Sequence, residues 1–152
     1  MQLVIICGSV FGAAEEVARH AQRRPQAQGL TVWFEMRASL ESISAQNPDA
    51  ILAITSTTGM GELPASIEPL FYSIRDTFPA WAGKPSAVLA MGDSNYGDTF
   101  CAAGVQFEEL FAELGMRSLV PMLRLDASET VTPEADAEPW LDALGAALQA
   151  QA

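Results

Sequence analysis

Three unbroken apolar runs constrain this chain more than any other feature: Leu3-Val4-Ile5-Ile6-Cys7, Ala50-Ile51-Leu52-Ala53-Ile54 and Ala87-Val88-Leu89-Ala90-Met91. A strand with one wet face alternates apolar and polar residues, so runs of this kind belong to strands covered on both sides. Thr31-Val32-Trp33-Phe34-Glu35-Met36, rich in β-branched and aromatic residues, reads as another strand. A last one is expected from about Leu119 to Leu125, at the sheet edge, because Pro121 cannot donate to a ladder.

Between the strands the period becomes helical. Ala14, Val17, Ala18 and Ala21 form one stripe after Gly12. Ile67, Leu70, Phe71 and Ile74 form another behind Pro64, and Phe107, Leu110, Phe111 and Leu114 a third that Gly115 stops. Trp140, Leu141, Leu144 and Leu148 mark a final helix starting at Pro139, and the Ala/Gln-rich end after Leu148 is expected to fray. Alternation of this kind predicts an α/β fold, a doubly wound five-stranded parallel sheet in the order 2-1-3-4-5 with helices on both faces. No linker, repeat or low-complexity tract divides residues 1–152, so one domain is expected. Ligands of such sheets sit beyond the carboxyl ends of the strands at the switch point, which directs attention to the loops after strands 1, 3 and 4.

Charge narrows the partners. Eight Lys and Arg against nineteen Asp and Glu give −11, a field that repels nucleic acid and attracts basic protein surfaces, or simply confers solubility. The start MQLVIICGS has no basic region before its apolar stretch, and no segment has the length to span a bilayer, so export and membrane insertion are disfavoured. Cys7 and Cys101 lie in no CxxC and near no His, so they read as buried thiols in a reducing cytoplasm, not as zinc ligands. His20 reads as part of a solvated helical face, and Trp33, Trp81 and Trp140, which lie outside the three loops, as packing or surface residues.

The first loop, Gly8-Ser9-Val10-Phe11-Gly12-Ala13-Ala14-Glu15, has the small residues and following helix start that can hold a phosphate through backbone N–H groups. Read alone, it is equally a tight strand-to-helix turn that needs glycine. It carries neither G-x-G-x-x-G nor GK[ST], against a dinucleotide or a nucleoside triphosphate. The second, Thr55-Ser56-Thr57-Thr58-Gly59-Met60-Gly61-Glu62-Leu63-Pro64, offers four hydroxyls and two glycines beside a flat ring or a phosphate. The third, Gly92-Asp93-Ser94-Asn95-Tyr96-Gly97-Asp98-Thr99-Phe100-Cys101, contains Tyr96, either a stacking platform or a surface cover.

Taken in order, GSVFGAAE, TSTTGMGELP and MGDSNYGDTFCAAG resemble the phosphate loop and the two ring-clasping loops of short-chain bacterial flavodoxins. LRLDASE followed by PEADAEPW resembles the branch close to the MioC-type proteins, and no long insertion interrupts the last strand, as in the short type. The resemblance implies FMN as cofactor, with Ser9, Val10, Phe11, Gly12, Ala13 and Ala14 around its phosphate. It implies Thr55, Ser56, Thr57, Thr58, Gly59, Met60 and Gly61, and Gly92, Asp93, Asn95, Tyr96, Phe100 and Cys101, around the ring. Flavodoxins place threonines where Phe11 and Ala14 stand, so two hydroxyl donors are lost here. They often put a large side chain on the inner ring face, where this chain offers Thr58 and Met60, with Met60 as a soft substitute. Tyr96 matches the outer stacking tyrosine.

As function, the resemblance implies a low-potential electron carrier cycling through a neutral semiquinone, with no catalytic residue and no metal. Gly59 resembles the glycine whose peptide reorients so that its carbonyl accepts the ring proton. Glu62, Asp93 and Asp98, negative and close to the ring, should disfavour full reduction. The implied partners are a basic NAD(P)H-dependent flavodoxin or ferredoxin reductase and an acceptor redox enzyme, met by a cytoplasmic monomer. An NAD(P)H-dependent FMN or quinone reductase on the same fold is the alternative. A phosphoreceiver domain would need acidic residues where this chain has Cys7-Gly8 and Thr55-Ser56.

Overall fold

Each apolar run becomes a strand next to another. In the computed structural model, which describes residues 1–151, β1 (Gln2–Gly8) lies between β2 (Thr31–Phe34) and β3 (Ala50–Thr55), and β4 (Pro85–Gly92) follows β3. Two short strands, β5 (Arg117–Ser118) and β6 (Leu123–Asp126), line the far side of β4. All pairings are parallel and the order β2-β1-β3-β4-β5 is the expected one.

Among the described residues six α-helices accompany the sheet: α1 (Ala13–Ala27), α2 (Leu40–Ala45), α3 (Glu68–Thr77), α4 (Ala102–Glu113), α5 (Pro133–Asp136) and α6 (Glu138–Gln151). Period-two alternation sorts the strand residues into two cores. Leu3, Ile5, Leu52, Ile54 and Leu89 face α1 and α6 through Val17, Ala21, Leu141 and Leu144. Val4, Ile6, Ile51, Ala53 and Val88 face α3 and α4 through Ile67, Ile74, Phe107 and Phe111. Because β1 leads to one face and β3 to the other, a crevice opens where the two connections part. The register sets Gly8 beside Thr55 and Thr55 beside Ala90, so β1 and β3 end level at that crevice while β4 runs on to Gly92.

The last strand departs from the expected Leu119–Leu125. It is split, because the proline at 121 has no N–H for the ladder and the chain bows away from β4 before and after it. The bow's carbonyls find side chains instead: Ser118 Oγ donates to the Val120 carbonyl at 3.1 Å and Trp140 Nε1 to that of Pro121 at 2.8 Å.

The described residues after Leu148, expected to fray, are helical. α6 continues to Gln151, whose side-chain oxygen accepts from Arg117 Nη1 at 2.8 Å. It begins at Glu138, one residue before the expected start, after the one-turn α5. His20 is not on a solvated face either: its Nε2 lies 2.8 Å from Glu138 Oε1, while Arg24 forms a two-pronged pair with Asp142. These contacts bind α6 to α1. Trp81 is buried, and Trp33 and Trp140 are half-buried against the cores. Among the described residues no helix is long and apolar enough to cross a membrane.

Candidate functional site

At the carboxyl ends of β1, β3 and β4 lies a cleft of about 500 Å³, within the usual range for a small-molecule site. Three loops wall it. The first contributes Ser9, Val10, Phe11, Ala13 and Ala14, the second Ser56, Thr57, Thr58 and Gly59, and the third Gly92, Asp93, Tyr96 and Thr99, with Met91 and Ala127 beside them.

The first loop is shaped from across the sheet. Ser9 N–H donates to Ser66 Oγ at 2.9 Å, and Ser66 Oγ donates back to the Ser9 carbonyl at 3.1 Å. Ser9 Oγ in turn accepts from Gly12 N–H at 3.0 Å. This turn starts α1 without a side-chain cap, and the N–H groups of Ala13, Ala14 and Glu15 meet no protein acceptor among the described residues, nor do those of Val10 and Phe11. By contrast α2 is closed by a Ser39–Ser42 capping box. An open row of donors at a helix start is chemically an anion site. Glu15, in the first turn, is turned to Arg19 at 2.7 Å.

The second loop is a tight turn in which Thr58 N–H donates to the Glu62 carbonyl at 3.0 Å and Gly61 N–H to that of Thr58 at 2.8 Å. α4 pins it from behind: Gln106 Nε2 donates to the Gly61 carbonyl at 3.0 Å and Ala103 N–H to Thr57 Oγ1 at 3.3 Å. Gly61 has φ +80°, and a Cβ on it would lie 3.3 Å from the Ala102 Cβ, so both conformation and space call for glycine.

The third loop is a 3-10 turn over Ser94–Thr99, capped by Asp93 Oδ1, which accepts from Asn95 N–H at 2.9 Å. Asp126, at the end of β6, ties it down: its Oδ1 accepts from Ser94 N–H at 3.1 Å, Ser128 N–H at 3.0 Å and Ser128 Oγ at 2.8 Å. Hydrogen bonds from Ser94 and Ser128 hold the Asp126 carboxyl well below the usual carboxylate range. Ala127 N–H adds a bond to the Gly92 carbonyl at 2.8 Å.

Twelve of the nineteen residues singled out from the sequence therefore reach the wall and seven do not. Thr55 is buried, its hydroxyl donating to the Ser56 carbonyl. Gly12 and Gly61 turn the backbone behind the cleft at positive φ. Met60 points outward, 81% exposed, so it does not cover a ring face here. Asn95 is exposed and engaged through its N–H, while Phe100 and Cys101 pack behind Gly92. A Cβ on Gly92 would stand 2.7 Å from Cys101 N, so glycine lets that backbone approach. Burial pushes the Cys7 thiol up to about 12 and that of Cys101 up to about 11, so both stay protonated at neutral pH.

Sequence reasoning missed Met91, Thr99 and Ala127 on the wall and Ser66, Asp126 and Ser128 behind it. Asp126 and Ser128 carry a local signal, an aspartate followed two residues later by serine in an Asx turn. Ser66 has none, since its partner is distant in sequence.

The flavodoxin family model matches residues 5–140. The chain belongs to the flavodoxin family. A solved cysteine-to-serine variant of a flavodoxin from Pseudomonas aeruginosa is 59% identical and superposes with a TM-score of 0.95 over 98% of this chain and 99% of its own. Flavodoxin YqcA of Pectobacterium carotovorum is 37% identical over 99% of both chains. A MioC homologue of Pasteurella multocida is 36% identical over 92% of this chain and 93% of its own. These place the protein among short-chain flavodoxins near the YqcA and MioC types. As a flavodoxin it takes a flavin, typically FMN, and electron transfer as its class of function. The cleft suits that cofactor, with open N–H donors at one end for a phosphate and Thr58 and Tyr96 flanking the other.

Proposed function

We propose that this chain holds FMN without a covalent bond and carries single electrons, cycling through the semiquinone, from a basic NAD(P)H-dependent reductase to an acceptor redox enzyme. The observation that carries this reading is the row of uncommitted N–H groups at Val10, Phe11, Ala13, Ala14 and Glu15, set at one end of a cleft flanked by Tyr96. Backbone donors and the α1 dipole would neutralise the FMN phosphate with no basic side chain. Thr58 and Tyr96 would bracket the ring, and the loop peptides and nearby acids would tune its potential.

When bound, the flavin supplies the redox chemistry, and the protein determines its orientation, its access to water and the charge around it. The −11 of the chain supports a basic partner, because small reversible electron-transfer contacts are steered by opposite charge. A cytoplasmic monomer is the form in which such a carrier would meet both partners.

Titrating FMN into flavin-free protein should quench its fluorescence to saturation at one equivalent, and stepwise reduction should pass through a long-wavelength absorbing stage. No quenching would overturn FMN binding, and a single direct bleach would overturn one-electron carriage. NADPH alone should leave the loaded protein oxidised; bleaching without an added reductase would favour an NAD(P)H-dependent reductase instead.

A further inference from the structure

Thr99 stands where the second and third loops meet at the rim of the cleft. Its Oγ1 lies 3.3 Å from the Gly59 carbonyl of the second loop and 3.3 Å from the Tyr96 carbonyl of its own. A hydroxyl has a single proton, so the two acceptors share it in a three-centre bond. The same side chain fills the space beside Gly61, whose added Cβ would lie 3.4 Å from both Thr99 Cβ and Cγ2. Thr99 thus reaches the second loop twice, by a hydrogen bond at Gly59 and by packing at Gly61.

Gly59 gives that bond its importance. Its φ is not in the left-handed region, and a Cβ on it would meet nothing closer than Tyr96 Cε1 at 3.9 Å. Neither strain nor crowding requires glycine there, no backbone N–H donates to its carbonyl among the described residues, and the side-chain partner of that carbonyl is Thr99. A carbonyl with one hydrogen-bond donor on the wall of a binding cleft takes its direction from that donor.

We propose that Thr99 is a positioning residue that clasps the two ring-flanking loops and fixes the direction of the Gly59 carbonyl at the cleft wall. The clasp rests on the FMN reading above for its ligand but not for its geometry. Removing the hydroxyl while keeping the shape, Thr99→Val, frees the Gly59 carbonyl and leaves the packing on Gly61. Thr99→Ser keeps the hydroxyl.

The test has two readouts. In flavin-free protein, NMR hydrogen exchange of the Thr58 and Gly61 amides should quicken about five-fold in Thr99→Val, the loss of one net hydrogen bond, and stay near wild type in Thr99→Ser. In FMN titrations the dissociation constant should rise by a similar factor in Thr99→Val and recover in Thr99→Ser. Unchanged exchange in Thr99→Val overturns the clasp. Faster exchange with wild-type FMN affinity overturns its role at the site. If wild-type protein takes up no FMN, the flavin reading fails, and the exchange experiment still decides the clasp.

Discussion

Ser66 illustrates how a residue outside the cleft governs its shape. It grips both backbone groups of Ser9, at 2.9 and 3.1 Å, and so sets the turn that exposes the donor row of the first loop. Ser66→Ala leaves that peptide without its partner, and FMN affinity should fall about five- to tenfold, as for one or two lost hydrogen bonds. Fluorescence-quenching titration checks this, and an unchanged dissociation constant would mean that the turn stands without Ser66. The buried thiols give a second expectation. At pH 8 neither Cys7 nor Cys101 should react with a thiol reagent in the folded protein, and both should react once it is unfolded in guanidinium. Their raised values also have a direction in pH. Above an ordinary thiol value the unfolded chain releases protons that the native chain keeps, so stability falls as pH rises from about 9 toward 11. Thermal midpoints at pH 8 and pH 10 would show it.

Among the elements, α4 approaches the sheet closely at a glycine. Gly104 lies over Ala90 of β4, and a Cβ on it would fall 2.3 Å from the Ala90 Cβ. Gly104→Ala must push the helix outward, and α4 also carries Gln106 and Ala103, which pin the second loop. A loss of about 1–3 kcal/mol in urea denaturation is expected from such overpacking; a loss under about 0.5 kcal/mol would show that α4 shifts freely. The helix stripes were legible in the sequence because each repeats the same apolar period. The split of the last strand was only half legible. Pro121 announced an edge, but the bow around it depends on Ser118 and Trp140 taking up the carbonyls it releases.

At the scale of the molecule the charge of −11 is its long-range feature. If it steers a basic NADPH-dependent reductase, reduction of the FMN-loaded chain should slow several-fold between low and physiological ionic strength, where the screening length drops from roughly 30 to 8 Å. A flat stopped-flow rate across that range would return the charge to a solubility role.

Apolar periodicity by itself determined the alternation of strands and helices, the two covered faces and the three loops that carry the site, because burial on both sides of a parallel sheet requires unbroken apolar strands. The order 2-1-3-4-5 was the natural fit to that alternation, and the tertiary structure settled it. The family followed from those loops in sequence order. Tertiary structure alone decided which loop residues face the cleft. Met60 and Thr58 are near neighbours in one loop, yet Met60 turns to solvent and Thr58 to the wall. It also decided the roles of Ser66, Thr99 and Asp126, whose hydrogen bonds cross between segments far apart in the chain. Local pattern cannot record such contacts, since they exist only once the sheet has brought three loop ends together.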